Sequence, residues 1–374
     1  MRNVFIHQAD IITPLGLSLD ENWSNLLIHK SGIQRIEKIG GITNFYASLI
    51  QSELINDSII VDKNSSRIEK MLLLILNKLY QKNVEITPET TVVLSTTKGN
   101  IRALAHNPIE AFIPQIANFL QKKLQLQNNV VVVSNACTSG VLAVNIAKRM
   151  LQTSQTNQAV ILAVDEITEF VLSGFDAFKA MSKKPCKPFD KSRDGITLGE
   201  AVGALYMSTK PQNNTWNFQI LGEGNINDAN HISGPSRTGE GLYKSIKNAL
   251  EEAKISAENI DYISAHGTAT RYNDDMESIV FDRLNMNQTP LNSLKGYFGH
   301  TLGASGLIEL IFACKQIEEK ILLQTHGFEE FGVAKTINVL QNHTRTTGTT
   351  FLKTASGFGG SLSLIHISEP ARRY

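Results

Sequence analysis

Apolar positions along this chain fall into two alternating spacings. Short aliphatic and β-branched runs bounded by polar turns predict strands over residues 3–8, 91–95, 130–133, 158–164, 201–207, 216–223 and 260–265. Between them, apolar residues recur at helical spacing. Met71, Leu72, Ile75, Leu76 and Leu79 form one face of a helix over 70–82. Further helices are expected from Ser18 (with Glu21 three residues on, a capping pattern), over 108–124, from Val141 to Leu151 and over 242–254. Pro185, Pro188 and Gly195 break any period across 183–199, which reads as a loop. Residues 210–214 read as the turn of a hairpin between the strands on either side. Strand–helix alternation in both halves predicts two similar α/β units packed together. A short echo points the same way: Ser139-Gly140-Val141-Leu142-Ala143 and Ser305-Gly306-Leu307-Ile308-Glu309 each open a small-residue helix.

The run Val130-Val131-Val132-Val133 reads as a strand covered on both faces, and it leads through Ser134-Asn135-Ala136 to Cys137. Cys137 thus stands where a strand hands over to a helix, whose N-terminus carries roughly half a positive charge and favours a thiolate. Small neighbours, Ala136, Thr138, Ser139 and Gly140, leave the sulfur uncrowded. A small buried hydrophobe is the competing reading for a lone cysteine. Three other segments stand out. Taken singly, Ala265-His266-Gly267-Thr268-Ala269-Thr270 is a polar turn, and Ser356-Gly357-Phe358-Gly359-Gly360 is a hairpin turn. Lys295 with Gly299-His300-Thr301-Leu302-Gly303-Ala304-Ser305-Gly306 is a surface cation and a helix cap. Together they make a chemical proposal. A cysteine can take an acyl group as a thioester, neutral imidazoles hydrogen-bond near pH 7, and a lysine adds field. The backbone N–H groups of Cys137 and Phe358 are candidates to hold an oxyanion.

Composition narrows the classes further. Hydrophobic residues make up 42% and charged residues 19%, as in an ordinary soluble globular protein. A formal charge of +1 supplies no global field for nucleic acid or a membrane surface. Cys137, Cys186 and Cys314 form neither a disulfide framework nor a metal pattern, which suits a reducing cytoplasm. The N-terminal residues lack a signal-peptide design, and no apolar run approaches the ~18 residues of a membrane span. No dinucleotide or phosphate-loop pattern competes.

At this point the chain resembles the β-ketoacyl-acyl-carrier-protein synthases, condensing enzymes of the thiolase fold. The resemblance rests on Asn135-Ala136-Cys137-Thr138-Ser139-Gly140 and on Lys187-Pro188-Phe189-Asp190-Lys191-Ser192-Arg193-Asp194-Gly195 with Leu198-Gly199-Glu200. The three segments above complete it, in the family's order and over nearly the whole chain. It implies a thiolase-like α/β fold, two pseudo-repeated halves packed as a five-layered αβαβα sandwich. Residues 1–209 would carry the nucleophile and cap segments, and residues 210–374 the two histidines. It further implies Cys137 as the acyl-accepting nucleophile, and His266 and His300 as the pair that binds the extender thioester and promotes decarboxylation. Lys295 would support them electrostatically, with Glu309 as its structural partner. Thr268 and Thr270 would contact a phosphopantetheine arm, and Phe358 would gate the cysteine. An acyl carrier protein is the implied partner, and the substrates ride on its phosphopantetheine without a metal or other cofactor. The resemblance also implies a dimer joined through the 130–134 strands, either of identical chains or with a chain-length-factor-like homologue.

The chain departs from the family in places. Residues 56–128 are trimmed where a cap over the acyl pocket is expected, Ser361-Leu362 stands where Thr-Asn is frequent, and 368–374 reads as a frayed tail. A degradative thiolase would need a second cysteine within 357–363, which is absent, and a synthase that starts chains from acyl-CoA would carry Asn where His300 stands. A pocket-shaping chain-length factor typically lacks the nucleophile that this chain retains. The short chain and trimmed cap lean toward a specialised type II polyketide or polyene pathway over housekeeping fatty-acid synthesis. Lys183, Lys184, Lys187, Arg193 and Arg271 are candidates for carrier docking.

Overall fold

The computed structural model describes residues 2–56, 65–213, 216–228 and 236–370. Its main sheet is built from β1 (Phe5–Ile12), β2 (Thr91–Ser95), β3 (Val131–Val133), β4 (Gln158–Asp165) and β5 (Ala201–Ser208). To these it adds β6 (Phe218–Asn227), β7 (Tyr262–Ser264), β8 (Leu291–Asn292), β9 (Thr350–Ser356) and β10 (Ser361–Pro370). The order across the sheet is β8-β7-β9-β10-β6-β1-β5-β4-β2-β3. Each run of five strands therefore has the same internal order, third-second-fourth-fifth-first. In the first run β2 lies parallel to β3 and β4, and β5 antiparallel to β4 and β1. In the second, β7 lies parallel to β8 and β9, and β10 antiparallel to β9 and β6. Among the described residues, the pairs Phe5↔Gln219 and Ile6↔Phe218 join the two runs. On that repeat we propose the division into halves at residues 209 and 210.

Helices fill the layers: α1 (Leu19–Leu27), α2 (Arg67–Gln81), α3 (Ile113–Lys123), α4 (Ser139–Gln152), α5 (Glu169–Ala177), α6 (Glu240–Ala253), α7 (Arg271–Arg283) and α8 (Ser305–Glu319). Successive strand residues face opposite sides, so a continuous apolar run serves two cores. Val92 and Leu94 pack outward with Met71, Leu72 and Ile116 of α2 and α3. Val93 packs inward with Val141 and Val144 of α4 and Leu307 and Ile311 of α8. On the far side, Leu242, Ile246, Met276 and Val280 of α6 and α7 cover Ile263, Leu352 and Leu364. The result is the αβαβα sandwich. Helix α8 lies in its centre and is buried at every residue from Ser305 to Ile317.

The echoed Ser-Gly pairs meet at this centre. A Cβ at Gly140 would stand 2.5 Å from Leu307 N, and one at Gly306 would stand 2.9 Å from Val141 N. Two helix N-termini thus cross with their backbones in contact, which side chains would prevent. That crossing brings the loop ahead of α4, with Cys137, beside the loop ahead of α8, with His300.

Several local expectations change. The valine run is an edge strand of three residues that pairs only with β2 among the described residues; Val131 and Val133 pack into the inner core and Val130 and Val132 into the outer one, so both faces are covered, and the open edge leaves Val131 and Val132 half-buried. Strands β5 and β6 do not form a hairpin, because β1 inserts between them. Strand β10 runs on to Pro370, paired with β6, where a frayed tail is expected from residue 368, and residues 371–374 lie outside the described residues. The trimmed cap falls partly on residues 57–64, which also lie outside them.

Candidate active site

Cys137 follows Ala136, whose φ of +47° is a left-handed conformation that costs a non-glycine residue about 1–2 kcal/mol. The same strain recurs at Ala269 (φ +63°) between Thr268 and Thr270 and at Leu302 (φ +54°) just after His300. Strained backbone of this kind persists where the surroundings over-determine it. Ser139 Oγ accepts from Asn135 N–H at 2.7 Å and donates to the Ala136 carbonyl at 2.6 Å, which locks the turn around the cysteine. A Cβ at Gly357 would stand 3.3 Å from Cys137 N, so the β9–β10 turn lies close against the cysteine backbone. This is the same turn that carries Phe358.

Cys137, His266, His300, Thr268, Thr270 and Phe358 line one cavity of about 480 Å³. Lys295 and Glu309 do not line it; they sit behind the histidines, fully buried. Phe358 is 40% exposed and packs its ring 5.8 Å from those of both Phe175 and Phe178, which also line the cavity. Thr268 and Thr270 share a hydrogen bond of 2.9 Å.

The two imidazoles stand edge to face with centroids 5.4 Å apart. His300 Nδ1 accepts from the Leu302 N–H at 3.2 Å, so its proton resides on Nε2. His266 Nδ1 faces Lys295 Nζ at 3.4 Å, and an ammonium has only donors, so His266 is likewise protonated on Nε2. Each ring therefore keeps an Nε2–H free of these anchors. Lys295 Nζ also donates to the His266 carbonyl and to Glu309 Oε1, the latter at 2.6 Å. Burial, with Lys295 beside it, holds His266 well below its ordinary value, and burial with Lys295 lowers His300 to about 3.

Both rings are thus expected to stay neutral as pH falls from about 8 to about 5, since a lowered pKa extends the neutral form to more acid pH. Histidine-labelled NMR shifts of the full chain check this, and a titration midpoint of either ring at about 6.5 would contradict it.

Burial pushes the Cys137 thiol up to about 11, with Lys295 and Lys98 opposing and Asp165 and Glu309 adding to it. The resting side chain is a thiol. Its place before a helix predicts a thiolate, but at 8% exposure desolvation outweighs the field of a helix terminus.

Carboxylates that sequence reading missed hold the loops. Glu277 accepts from His266 N–H at 2.9 Å and Gly267 N–H at 2.7 Å, and Asp274 from Thr268 N–H at 2.9 Å and Ala269 N–H at 3.1 Å. They stand three residues apart in the first turns of α7, a spacing that puts both on one face. Asp165 accepts from Thr97 N–H and, at 2.7 Å, from Gly303 N–H, tying the loop after β2 to the loop ahead of α8. Lys353, the one charged residue of β9, ion-pairs with Glu309 Oε2 at 2.6 Å. Of the docking candidates, Arg193 is buried and paired to Asp275 at 2.7 Å, so it is not a free surface cation. Arg271 is exposed at the cavity mouth, and Lys183 and Lys184 are exposed.

Comparison with known families decides the class. The β-ketoacyl synthase N-terminal domain matches residues 80–213, and the β-ketoacyl synthase C-terminal domain matches residues 218–329. The chain belongs to the β-ketoacyl synthase family. It is accordingly an acyltransferase of the condensing kind. Among curated relatives, 3-oxoacyl-[acyl-carrier-protein] synthase 2 of Coxiella burnetii is 25% identical over 411 residues, covering 98% of this chain and 99% of that protein. The ketoacyl synthase alpha subunit of the tetracenomycin polyketide synthase of Streptomyces glaucescens is 30% identical over 257 residues, 64% of this chain and 60% of that one. In structure, a chain from the complex of a Xenorhabdus doucetiae ketosynthase with its chain length factor superposes with a TM-score of 0.87. That match has 23% identity and covers 98% of both chains, so this β-ketoacyl synthase shares its fold.

Among the described residues no helix is long and apolar enough to cross a membrane, and no group of three His, Cys, Asp or Glu side chains is placed to hold a metal ion.

Proposed function

We propose that the chain joins a Cys137-bound acyl group to a malonyl unit carried by an acyl carrier protein, by decarboxylative Claisen condensation. One observation carries the reading: two neutral imidazoles, each anchored through Nδ1, line the same cavity as the cysteine. In the first half-reaction Cys137 sulfur attacks the acyl thioester, its proton leaves with the carrier thiol, and an acyl-enzyme thioester remains. The backbone N–H groups of Cys137 and Phe358 hold the tetrahedral oxyanion. In the second, the malonyl thioester carbonyl accepts from the Nε2–H groups of His266 and His300. The bond to the carboxylate then breaks, carbon dioxide leaves, and the electron pair becomes an enolate stabilised by both donors. The enolate carbon attacks the Cys137 thioester, the C–S bond breaks, and the β-ketoacyl product stays on the carrier.

Thr268 and Thr270 hydrogen-bond the phosphopantetheine arm in the cavity, and Phe358 moves with the acyl chain against Phe175 and Phe178. The edge strand β3, with its unpaired side and half-buried valines, supports the dimer seam. A heterodimer with a chain-length-factor-like homologue is the second reading. Chains of ketosynthase/chain length factor complexes share the fold, and retention of Cys137, His266 and His300 makes this chain the catalytic member. Its three free cysteines support a reducing, cytoplasmic setting. Acyl-loaded and malonyl-loaded carrier proteins given to the purified protein are expected to yield a β-ketoacyl-carrier, two carbons longer, by mass spectrometry. Acyl transfer without elongation, with and without a homologous partner, would overturn the reading.

A further inference from the structure

Lys353 is a fully buried lysine in the middle of β9, and nothing in the mechanism above employs it. Its ammonium donates to Glu309 Oε2 at 2.6 Å, to the Thr354 carbonyl at 2.8 Å, and to the carbonyls of Ser264 and Ala265 at 3.3 and 3.4 Å. The last two immediately precede His266. Glu309 consequently has one oxygen on each lysine, with Ser305 Oγ donating to the first at 2.8 Å. The charges buried around His266 are Lys295, Lys353, Glu309 and Glu277; Glu277 faces the His266 N–H and receives the Thr354 hydroxyl at 2.7 Å. His300 and Cys137 complete the titratable set on the cavity side, and Asp274 and Asp165 hold the flanking loops.

We propose that Lys353 is a positioning residue of the condensation, the cation that keeps the charge behind the two histidines balanced while negative charge develops on the substrate. Without it, Lys295 alone would face two buried carboxylates. That net negative set would draw protons onto the imidazoles and oppose an enolate in front of them. With it, Glu309 does not cancel Lys295, which keeps its ammonium on the His266 ring. The field of Lys353 reaches both rings and lowers each, in the same sense as Lys295. Its bonds to the 264 and 265 carbonyls also set the height of the loop that carries His266.

The inference rests on the condensation reading, and its test separates the two. Lys353→Met is expected to leave Cys137 acylation in place, to slow malonyl-carrier decarboxylation about 10- to 100-fold, and to raise the histidine titration midpoints above those of the unmodified chain, with the acid limb of the rate moved the same way. Glu309→Gln combined with Lys353→Met removes one charge of each sign. It is expected to return the histidine midpoints toward those of the unmodified chain and to recover part of the rate, which a purely structural lysine would not allow. Should the single variant fail to fold, the double variant decides, since it keeps one buried cation, Lys295, and one buried carboxylate, Glu277, around His266. Unshifted histidine titration in the single variant, or protonated histidines at neutral pH in the double variant, would overturn the proposal. If the unmodified chain does not decarboxylate malonyl-carrier, the condensation reading fails, and the NMR titration still decides the role of Lys353.

Discussion

Replacing Cys137 with alanine is expected to abolish the acyl-enzyme and to lower condensation by a factor on the order of 10⁴ or more. The sulfur is the one nucleophilic thiol that lines the cavity; Cys186 and Cys314 are buried elsewhere. No neighbour can take over, because Thr138 Oγ1 donates to the Asn135 carbonyl at 2.7 Å and Ser139 Oγ to the Ala136 carbonyl at 2.6 Å. The histidine pair is left intact, so malonyl-carrier should still lose carbon dioxide, and the enolate, with no acyl acceptor, should collect a proton to give acetyl-carrier. Intact-protein mass after incubation with acyl-carrier reads the adduct, and carbon dioxide release reads the other half. An adduct of undiminished yield in the variant would remove Cys137 from its role.

Replacing either histidine with alanine is expected to give the complementary pattern. The acyl-enzyme should form at close to its usual rate, because attack at Cys137 draws its oxyanion donors from backbone N–H groups. Decarboxylation and condensation should fall about 10²–10³-fold for each lost donor, the usual cost of removing one preorganised hydrogen bond to a developing oxyanion. The deficit should not diminish with a change of pH between about 6 and 8, since neither ring titrates in that range by the burial argument. Acylation serves as the internal check on folding. Condensation at an unchanged rate in both variants would end the two-histidine mechanism.

Much of the site is legible in the residues themselves. Cys137 with its small neighbours, the His266 and His300 loops and the Phe358 turn are local patterns, because chemistry at a loop needs particular side chains at fixed short spacing. Lys353, Glu277 and Asp274 left a weaker trace. A lysine inside Phe351-Leu352-Lys353-Thr354-Ala355 is an anomaly in an otherwise uncharged strand, but its partner Glu309 lies on α8 and no local rule connects them. The thiol state of Cys137 was likewise out of reach, since helix position is local while desolvation depends on everything packed around the sulfur.

The strands tell the same story. Alternation of apolar runs and helical periods marked most elements and the two-unit plan, because hydrophobic spacing follows from backbone geometry alone. It misread one pairing: β5 and β6 flank β1 and do not pair. Pairing partners are chosen over long separations, where loop closure and shared cores matter more than propensity. By itself, then, the sequence marked the candidate reacting side chains, most element types and the repeated α/β architecture. Tertiary structure decided which loops meet, which charges balance behind the histidines and which protonation states they hold. Those depend on contacts between distant residues and on removal of water, and the crossing of α4 and α8 at Gly140 and Gly306 is one such contact.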